Sequence, residues 1–264
     1  MTAEAETAAL PFTTSELMVA AGSRELRDGQ LVFAGLGIPQ LAAHLAQYTH
    51  APHIRILNEV GLVDPHLIEL GVGNADPRHW YRAASFSTFV DIVGMTLHRG
   101  LVDVGFLGAL EVDEYGNNNA SEVLRDDGGI RRFGGGGGAN DIASLARSTI
   151  IITRHERRKL VERLVHNTSP GFLTGGDSRE RAGLRGGGPR RVLTDKAVFG
   201  FDAKTRRMKV LSVHPGVTHD ELRDATGFEI DIPANCPLTP PPSEEEVRLI
   251  REELDPKGMY VSAF

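Results

Sequence analysis

The feature that most constrains this chain is a repeated alternation of short apolar runs with amphipathic stretches. LVFAGLG (Leu31 to Gly37), IRIL (Ile54 to Leu57), VDVGFLGAL (Val102 to Leu110) and STIIIT (Ser148 to Thr153) are brief, apolar and rich in β-formers. Runs of that length with little polar alternation are what strands buried on both faces require. Between them lie segments of helical character, such as PQLAAHLAQY, which opens with Pro39 at the start of a helix. Strand and helix in alternation predict an α/β fold, an open and mainly parallel sheet flanked by helices. At 264 residues the chain is within reach of a single such domain.

Element boundaries are signposted by capping chemistry. Thr13 with Glu16, Thr218 with Glu221, and Ser243 with Glu246 each have the spacing of a capping box. The first helix is expected to close at Gly29 and the second of these at Gly227. Phe86, Phe89, Val90, Val93 and Leu97 recur at helical spacing, which predicts a helix from Phe86 to His98 closed by Gly100. RVLTDKAVFGF and MKVLSV read as later strands. Residues 1–12 are expected to be a flexible N-terminal segment, and 13–264 one domain.

Bulk properties remove several function classes. A formal charge of −6 gives no general attraction to nucleic acid or to an anionic membrane. The first dozen residues lack the pattern of a signal peptide, and no apolar run approaches the span of a membrane helix. With Cys236 the only cysteine, an intrachain disulfide is excluded. The histidines have no ligand spacing, so no metal site is expected. These features predict a soluble, cytoplasmic protein. RHERRK (Arg154 to Lys159) and the arginines from Arg179 to Arg191 read as solvated surface.

In open parallel sheets, sites form where loops leave the carboxyl ends of strands. Three loops stand out. GLGIP starts like a dinucleotide fingerprint with Gly35 and Gly37, but position 40 is Gln and the fingerprint fails there. NEVGLVD places Glu59 between a strand end and Gly61, among Ile56, Leu57, Val60, Leu62 and Val63, a costly setting for a charge without a task. Gly134 to Gly138 is either a flexible linker or a loop whose N–H groups approach a reacting oxygen ahead of a helix start.

Taken in order, GLGIP, ILNEVGLVD, GALEVDEYGNNNAS, RRFGGGGGANDIA, LTDKAVFGFD and LIREELDP resemble the β subunit of family I CoA transferases, nearest the glutaconate CoA-transferase branch. The resemblance covers the chain beyond its first dozen residues. It implies an open, mainly parallel sheet with helices and an active site at the junction with a partner α subunit, in a heterotetramer or larger assembly. The catalytic residue it implies is Glu59, in an E-x-G element with Gly61. Oxyanion and CoA contacts would come from Gly35, from Asn119 in the run Asn117 to Asn119, and from Gly137 or Gly138. No permanently bound cofactor is implied; coenzyme A is a co-substrate, with an acyl-CoA donor and a dicarboxylic or polar short-chain acid as acceptor. The unbroken five-glycine run and Asn58 before the glutamate depart from the family pattern. The same scaffold also serves CoA-thioester hydrolases, ring-opening hydrolases and decarboxylases, which tend to lack the glutamate. A purely structural partner role is the non-enzymatic alternative.

Overall fold

Successive residues of the buried strands point to opposite faces, and each face has its own apolar core. The structure, a computed structural model, describes residues 11–66, 73 and 76–262. Its strands are β1 (Leu31–Phe33), β2 (Arg55–Leu57), β3 (Leu62–Val63), β4 (Ser85–Phe86), β5 (Val104–Gly108), β6 (Glu111–Val112), β7 (Asn118–Asn119), β8 (Glu122–Leu124), β9 (Ile130–Arg132), β10 (Thr149–Ile152), β11 (Pro189–Leu193), β12 (Ala197–Phe201) and β13 (Met208–Val213). The α-helices are α1 (Thr14–Ser23), α2 (Ile38–Tyr48), α3 (Ala139–Leu145), α4 (Ser178–Arg181), α5 (His219–Asp224) and α6 (Glu244–Leu249). Val32, Ile56, Phe106, Ile150 and Leu193 face one core with α1, α2 and α6. Phe33, Leu57, Leu107, Ile151 and Val192 face the other, with α3 and the segment 92–97. Burying one such side chain contributes about 1.5–3 kcal/mol, so the period-2 alternation fixes which strand residues meet which helices.

Nine strands form one sheet in the order β13-β12-β11-β10-β5-β1-β2-β3-β4. The central run from β11 to β2 is parallel, and the pairings outside it are antiparallel. The chain steps from β1 to β2 on one side and then returns to β5 on the other. Connections therefore diverge between β1 and β5, and a crevice opens at their carboxyl ends. The expected α/β sheet is present. Among the described residues no helix is long and apolar enough to cross a membrane.

All three capping boxes form, with both reciprocal hydrogen bonds at Thr13, Thr218 and Ser243. Other boundaries differ from expectation. α1 stops at Ser23, not Gly29: Arg24 caps it, and the Glu25 and Leu26 amides bond three residues back to the Gly22 and Ser23 carbonyls, while the Arg24 side chain donates to the carbonyls of Pro240 and Pro241 and pairs with Glu246. Gly29, at φ 78°, instead makes the turn into β1. Phe86 is not helical: it pairs with Leu62 on edge strand β4, and the helix that follows, Val90–Leu97, is π-helical. Its Ile92, Val93 and Leu97 are buried, while Phe86, Phe89 and Val90 are exposed. Most of the N-terminal segment falls outside the described residues, but Phe12 is already buried and the Pro11 carbonyl accepts from Arg251.

Arg179 is not on the surface. It is fully buried and donates to the carbonyls of Gly186, Pro170, Gly171 and Ala143. A planar fork of donors satisfies carbonyls from three segments that would otherwise be orphaned. Burial lowers its pKa to about 10.

Candidate active site

The crevice predicted by the strand order is a cleft of about 670 Å³, floored by apolar side chains including Phe33, Phe106, Leu107 and Ile152 at the ends of β1, β5 and β10. Gly35 and Gly37 line it from the loop after β1, and Glu59 lines it from the loop after β2. Gly37 sits at φ 85° just before α2, a conformation that favours glycine.

Glu59 is carried on a tight turn between the antiparallel strands β2 and β3. The Asn58 amide donates to the Leu62 carbonyl at 3.0 Å, the Gly61 amide to the Asn58 carbonyl at 3.1 Å, and the Val60 amide to Asn58 Oδ1 at 3.1 Å. Asn58 thus holds the turn together. Gly61 lies at φ 108°, and a Cβ there would stand 2.3 Å from the Ser87 carbonyl oxygen. The Ser87 amide donates back to the Gly61 carbonyl at 2.8 Å. The half-buried carboxylate therefore projects from a turn clamped on both sides.

The glycine run is not a linker. It leaves β9 and passes directly against the carboxylate, so that a Cβ on Gly138 would be 3.5 Å from Glu59 Oε2 and one on Gly137 would be 3.7 Å from it. Gly135 and Gly137 have positive φ, 83° and 52°. At Gly136 a Cβ would meet Thr168 Cγ2 at 2.4 Å. Thr168 ties several parts of the site together: its hydroxyl accepts from the Ala120 amide and bonds the Ser121 hydroxyl, and its carbonyl accepts from Asn140 of α3.

Asn119 is not brought to the cleft. It is fully buried, its amide nitrogen donates to Glu111 Oε2 and the Glu122 carbonyl, and its Oδ1 accepts from the Ser121 and Glu122 amides. Asn117 is consumed in the same way by Asp113, Gly171 and Leu173. Asn118 is different. Its side chain is buried with neither Oδ1 nor Nδ2 hydrogen-bonded. By strand alternation it shares a face with Ala120, which lines the cleft. A turn motif offers three adjacent asparagines, and only pairing with β6 decides which way each points.

Tyr260 also lines the cleft, its ring 3.7 Å from where a Cβ of Gly37 would be. Neither Thr168 nor Tyr260 has a local sequence signal; both arrive from distant segments.

A family model described as coenzyme A transferase matches residues 15–225. The chain belongs to the coenzyme A transferase family. It is 33% identical over 255 residues to the B subunit of glutaconate CoA-transferase from Acidaminococcus fermentans, covering 95% of each chain. The crystal structure of that coenzyme A transferase superposes with a TM-score of 0.87 at 32% identity, covering 95% of this chain and 98% of that one. A second member of the family, the B subunit of 3-oxoadipate CoA-transferase from Pseudomonas knackmussii, is 34% identical over 245 residues, 91% of this chain and 92% of its own. A cholesterol ring-cleaving hydrolase subunit of Rhodococcus jostii is 27% identical over 237 residues, 86% of this chain and 89% of its own.

Proposed function

We propose that this CoA transferase subunit carries the nucleophile, Glu59, and moves CoA from an acyl-CoA to a free carboxylic acid together with a partner α subunit. The observation that carries the reading is the approach of Gly137 and Gly138 to the Glu59 carboxylate at the mouth of an apolar cleft.

The steps balance without an external acid or base. A Glu59 oxygen attacks the thioester carbonyl, the C–S bond breaks, and CoA leaves as thiolate from a mixed anhydride. The thiolate attacks the glutamyl carbonyl, releasing the first acid as its carboxylate and leaving Glu59 as a CoA thioester. The acceptor carboxylate repeats the sequence in reverse, and Glu59 regains its charge. Ping-pong kinetics follow. Each addition places charge on a carbonyl oxygen, and backbone N–H groups of the glycine loop are suited to receive it. Removing one such donor typically costs about 10²- to 10³-fold in rate. The apolar floor keeps water from the anhydride and the thioester.

The partner is supported by surface chemistry as well as by relatives named as B subunits. Phe86, Phe89 and Val90 are exposed, the first on an edge strand, and all flank Ser87 against the Glu59 turn. Exposed large apolar side chains close in sequence to the residue that clamps the Glu59 turn suit a subunit junction, in a heterotetramer or larger. Glutaconate and 3-oxoadipate, named in the two relatives, are dicarboxylates, so a dicarboxylic or polar short acid is the substrate class we extend to this chain. Free CoA esters as substrates fit a cytoplasmic enzyme.

The test is intact mass of the co-purified pair after brief exposure to a panel of acyl-CoAs. This chain should gain one CoA, and Glu59→Ala should gain none while remaining folded. Near wild-type transfer by Glu59→Ala would sink the mechanism. CoA and acid accumulating with no adduct would favour the hydrolase chemistry of the ring-cleaving relative.

A further inference from the structure

β8 and β9 pair only with each other, in a hairpin that contributes to neither core. The hairpin is rooted at the cleft. Ala120 before it and Gly134 after it are lining residues, and the stem closes where the Phe133 amide donates to the Ser121 carbonyl at 2.8 Å. All three residues of β9 are exposed. Leu124 and Ile130 stand opposite each other in the register, so they share a face, and they are 61% and 50% exposed. Phe133, at the base, is exposed as well, with the Arg131 guanidinium 5.0 Å from its ring centre.

A lone two-stranded hairpin is marginally stable at best in water and holds its shape when an apolar face is covered. Among the described residues of this chain none covers Leu124 and Ile130. The side chains assigned above to the partner subunit, Phe86, Phe89 and Val90, belong to a different part of the fold.

Charge decides the occupant. The hairpin carries three acids, Glu122, Asp126 and Asp127, and three arginines, Arg125, Arg131 and Arg132, so its charge cancels in a chain of net −6. Glu122 and Arg132 pair across the strands at 3.3 Å, on the face of Leu124 and Ile130, and Arg125 pairs with Asp127 at the tip at 3.0 Å. In an isologous contact a patch meets itself, so any surplus of one sign is repelled. An exposed apolar pair flanked by equal numbers of both signs is self-complementary. A surface matched by charge to a different chain would carry a surplus for that chain to neutralise.

We propose that this hairpin is the contact between two copies of the chain, which meet across a two-fold axis and so join two αβ pairs. Leu124 and Ile130 form the centre of the contact, and the tip of each hairpin exchanges ion pairs with its symmetry mate. The proposal goes beyond the transferase reading and uses it only for the presence of the α subunit.

The experiment is the native mass of the co-purified complex for wild type and two charge variants. Asp126→Arg with Asp127→Asn adds three positive charges, and the asparagine keeps an oxygen for the Gly129 amide. Arg125→Glu with Arg131→Gln adds three negative charges. All four side chains are exposed, so each variant should fold. Each alone should have half the wild-type mass, and an equal mixture of the two should regain the full mass. Leu124→Ser with Ile130→Ser should also halve the mass, with no recovery on mixing with either charge variant. Unchanged mass in the charge variants overturns the proposal, as does a wild-type complex with a single copy of this chain. Loss of the α subunit from a variant overturns it by assigning the hairpin to that subunit, and a mixture that does not recombine overturns it as well. A wild-type complex without a second kind of chain would overturn the two-subunit reading instead, and the charge-swap result would still judge the hairpin.

Discussion

Gly61→Ala tests whether the clamped turn, and not the carboxylate alone, makes Glu59 reactive. The added methyl would lie 2.3 Å from the Ser87 carbonyl oxygen and 2.7 Å from its carbon. Neither atom can retreat easily, because Ser87 donates to the Gly61 carbonyl and its neighbour Phe86 pairs with Leu62 across β3 and β4. Overpacking of this kind costs about 1–3 kcal/mol, and a side chain held at φ 108° adds about 1–3 kcal/mol. The turn will relieve part of that by shifting, which lowers the stability loss and moves Glu59 away from Gly137 and Gly138. A displacement of about 1 Å at a reacting group can cost on the order of 10²-fold in rate.

The expected result is therefore asymmetric. Thermal unfolding should fall by several degrees, at about 2–4 °C per kcal/mol for a chain of this size. The rate of Glu59–CoA adduct formation, followed by quenched mass measurement, should fall by on the order of 10²-fold at a temperature where the variant is folded. An adduct rate within a few-fold of wild type would refute the claim that the turn's geometry matters. A loss of rate matched by loss of folded protein would reduce Gly61 to a stability residue.

The remaining expectations use other parts of the site. Glu59→Ala should abolish the CoA adduct, read by intact mass, with an unchanged melting profile. Asn119→Ala should destabilise the protein, since it takes one of two donors from Glu111, leaving the Val165 amide, and breaks several other buried bonds, at about 1–3 kcal/mol in chemical denaturation; Asn118→Ala, which removes no side-chain hydrogen bond within this chain, should instead lower the adduct rate more than the stability. Stability should fall with acid: burial lowers His44, His155 and His214 each to about 4, so below the unfolded value near 6.5 the unfolded chain binds more protons and stability drops from pH 6.5 towards 4. Each imidazole contributes on the order of 3 kcal/mol over that window, whereas Asp113, raised to about 6 by burial, acts in the opposite sense. Urea unfolding equally stable at pH 4.5 and 7.5 would contradict this.

What the sequence disclosed follows the range of the forces involved. Capping boxes and buried strands are local, so Thr13, Thr218 and Ser243 and the runs from Leu31, Ile54 and Ser148 were legible. Two-residue strands such as β3 and β4 were not, because pairing across the chain, not propensity, makes Ser85 and Phe86 extended. The hairpin of β8 and β9 was missed for the same reason, and Arg179 was misread because a buried cation needs carbonyls that only the folded chain collects. In the site, Gly35, Glu59, Gly137 and Gly138 stood in loops with distinctive composition, and they converge on one cleft. Asn119 instead bonds Glu111 and the Ser121–Glu122 backbone, because the direction of a side chain depends on register. Tyr260 lies more than 200 residues from Gly37, beside which its ring sits, in a segment whose spacing carries no chemistry.

The strand order explains only part of that convergence. β1 lies between β2 and β5, so the loops bearing Gly35, Glu59 and Gly108 are neighbours by pairing alone. The glycine loop belongs to none of these strand ends; it precedes α3, and α3 has to lie low on the sheet for the loop to reach Glu59. What permits this is Gly105 in β5, where a Cβ would stand 2.2 Å from Ile142 Cγ2 of α3. A glycine inside a buried strand weakens it, and here the vacancy is filled by a helix side chain. Arg179 then fixes the same helix from outside by donating to the Ala143 carbonyl. The oxyanion contacts proposed for Gly137 and Gly138 thus depend on a strand glycine and a buried arginine that touch no substrate. That dependence fixes the second half of the glycine run: Thr168 meets it at its middle residue, Gly136, α3 seated on β5 follows its last, and Gly137 and Gly138 between them pass the carboxylate.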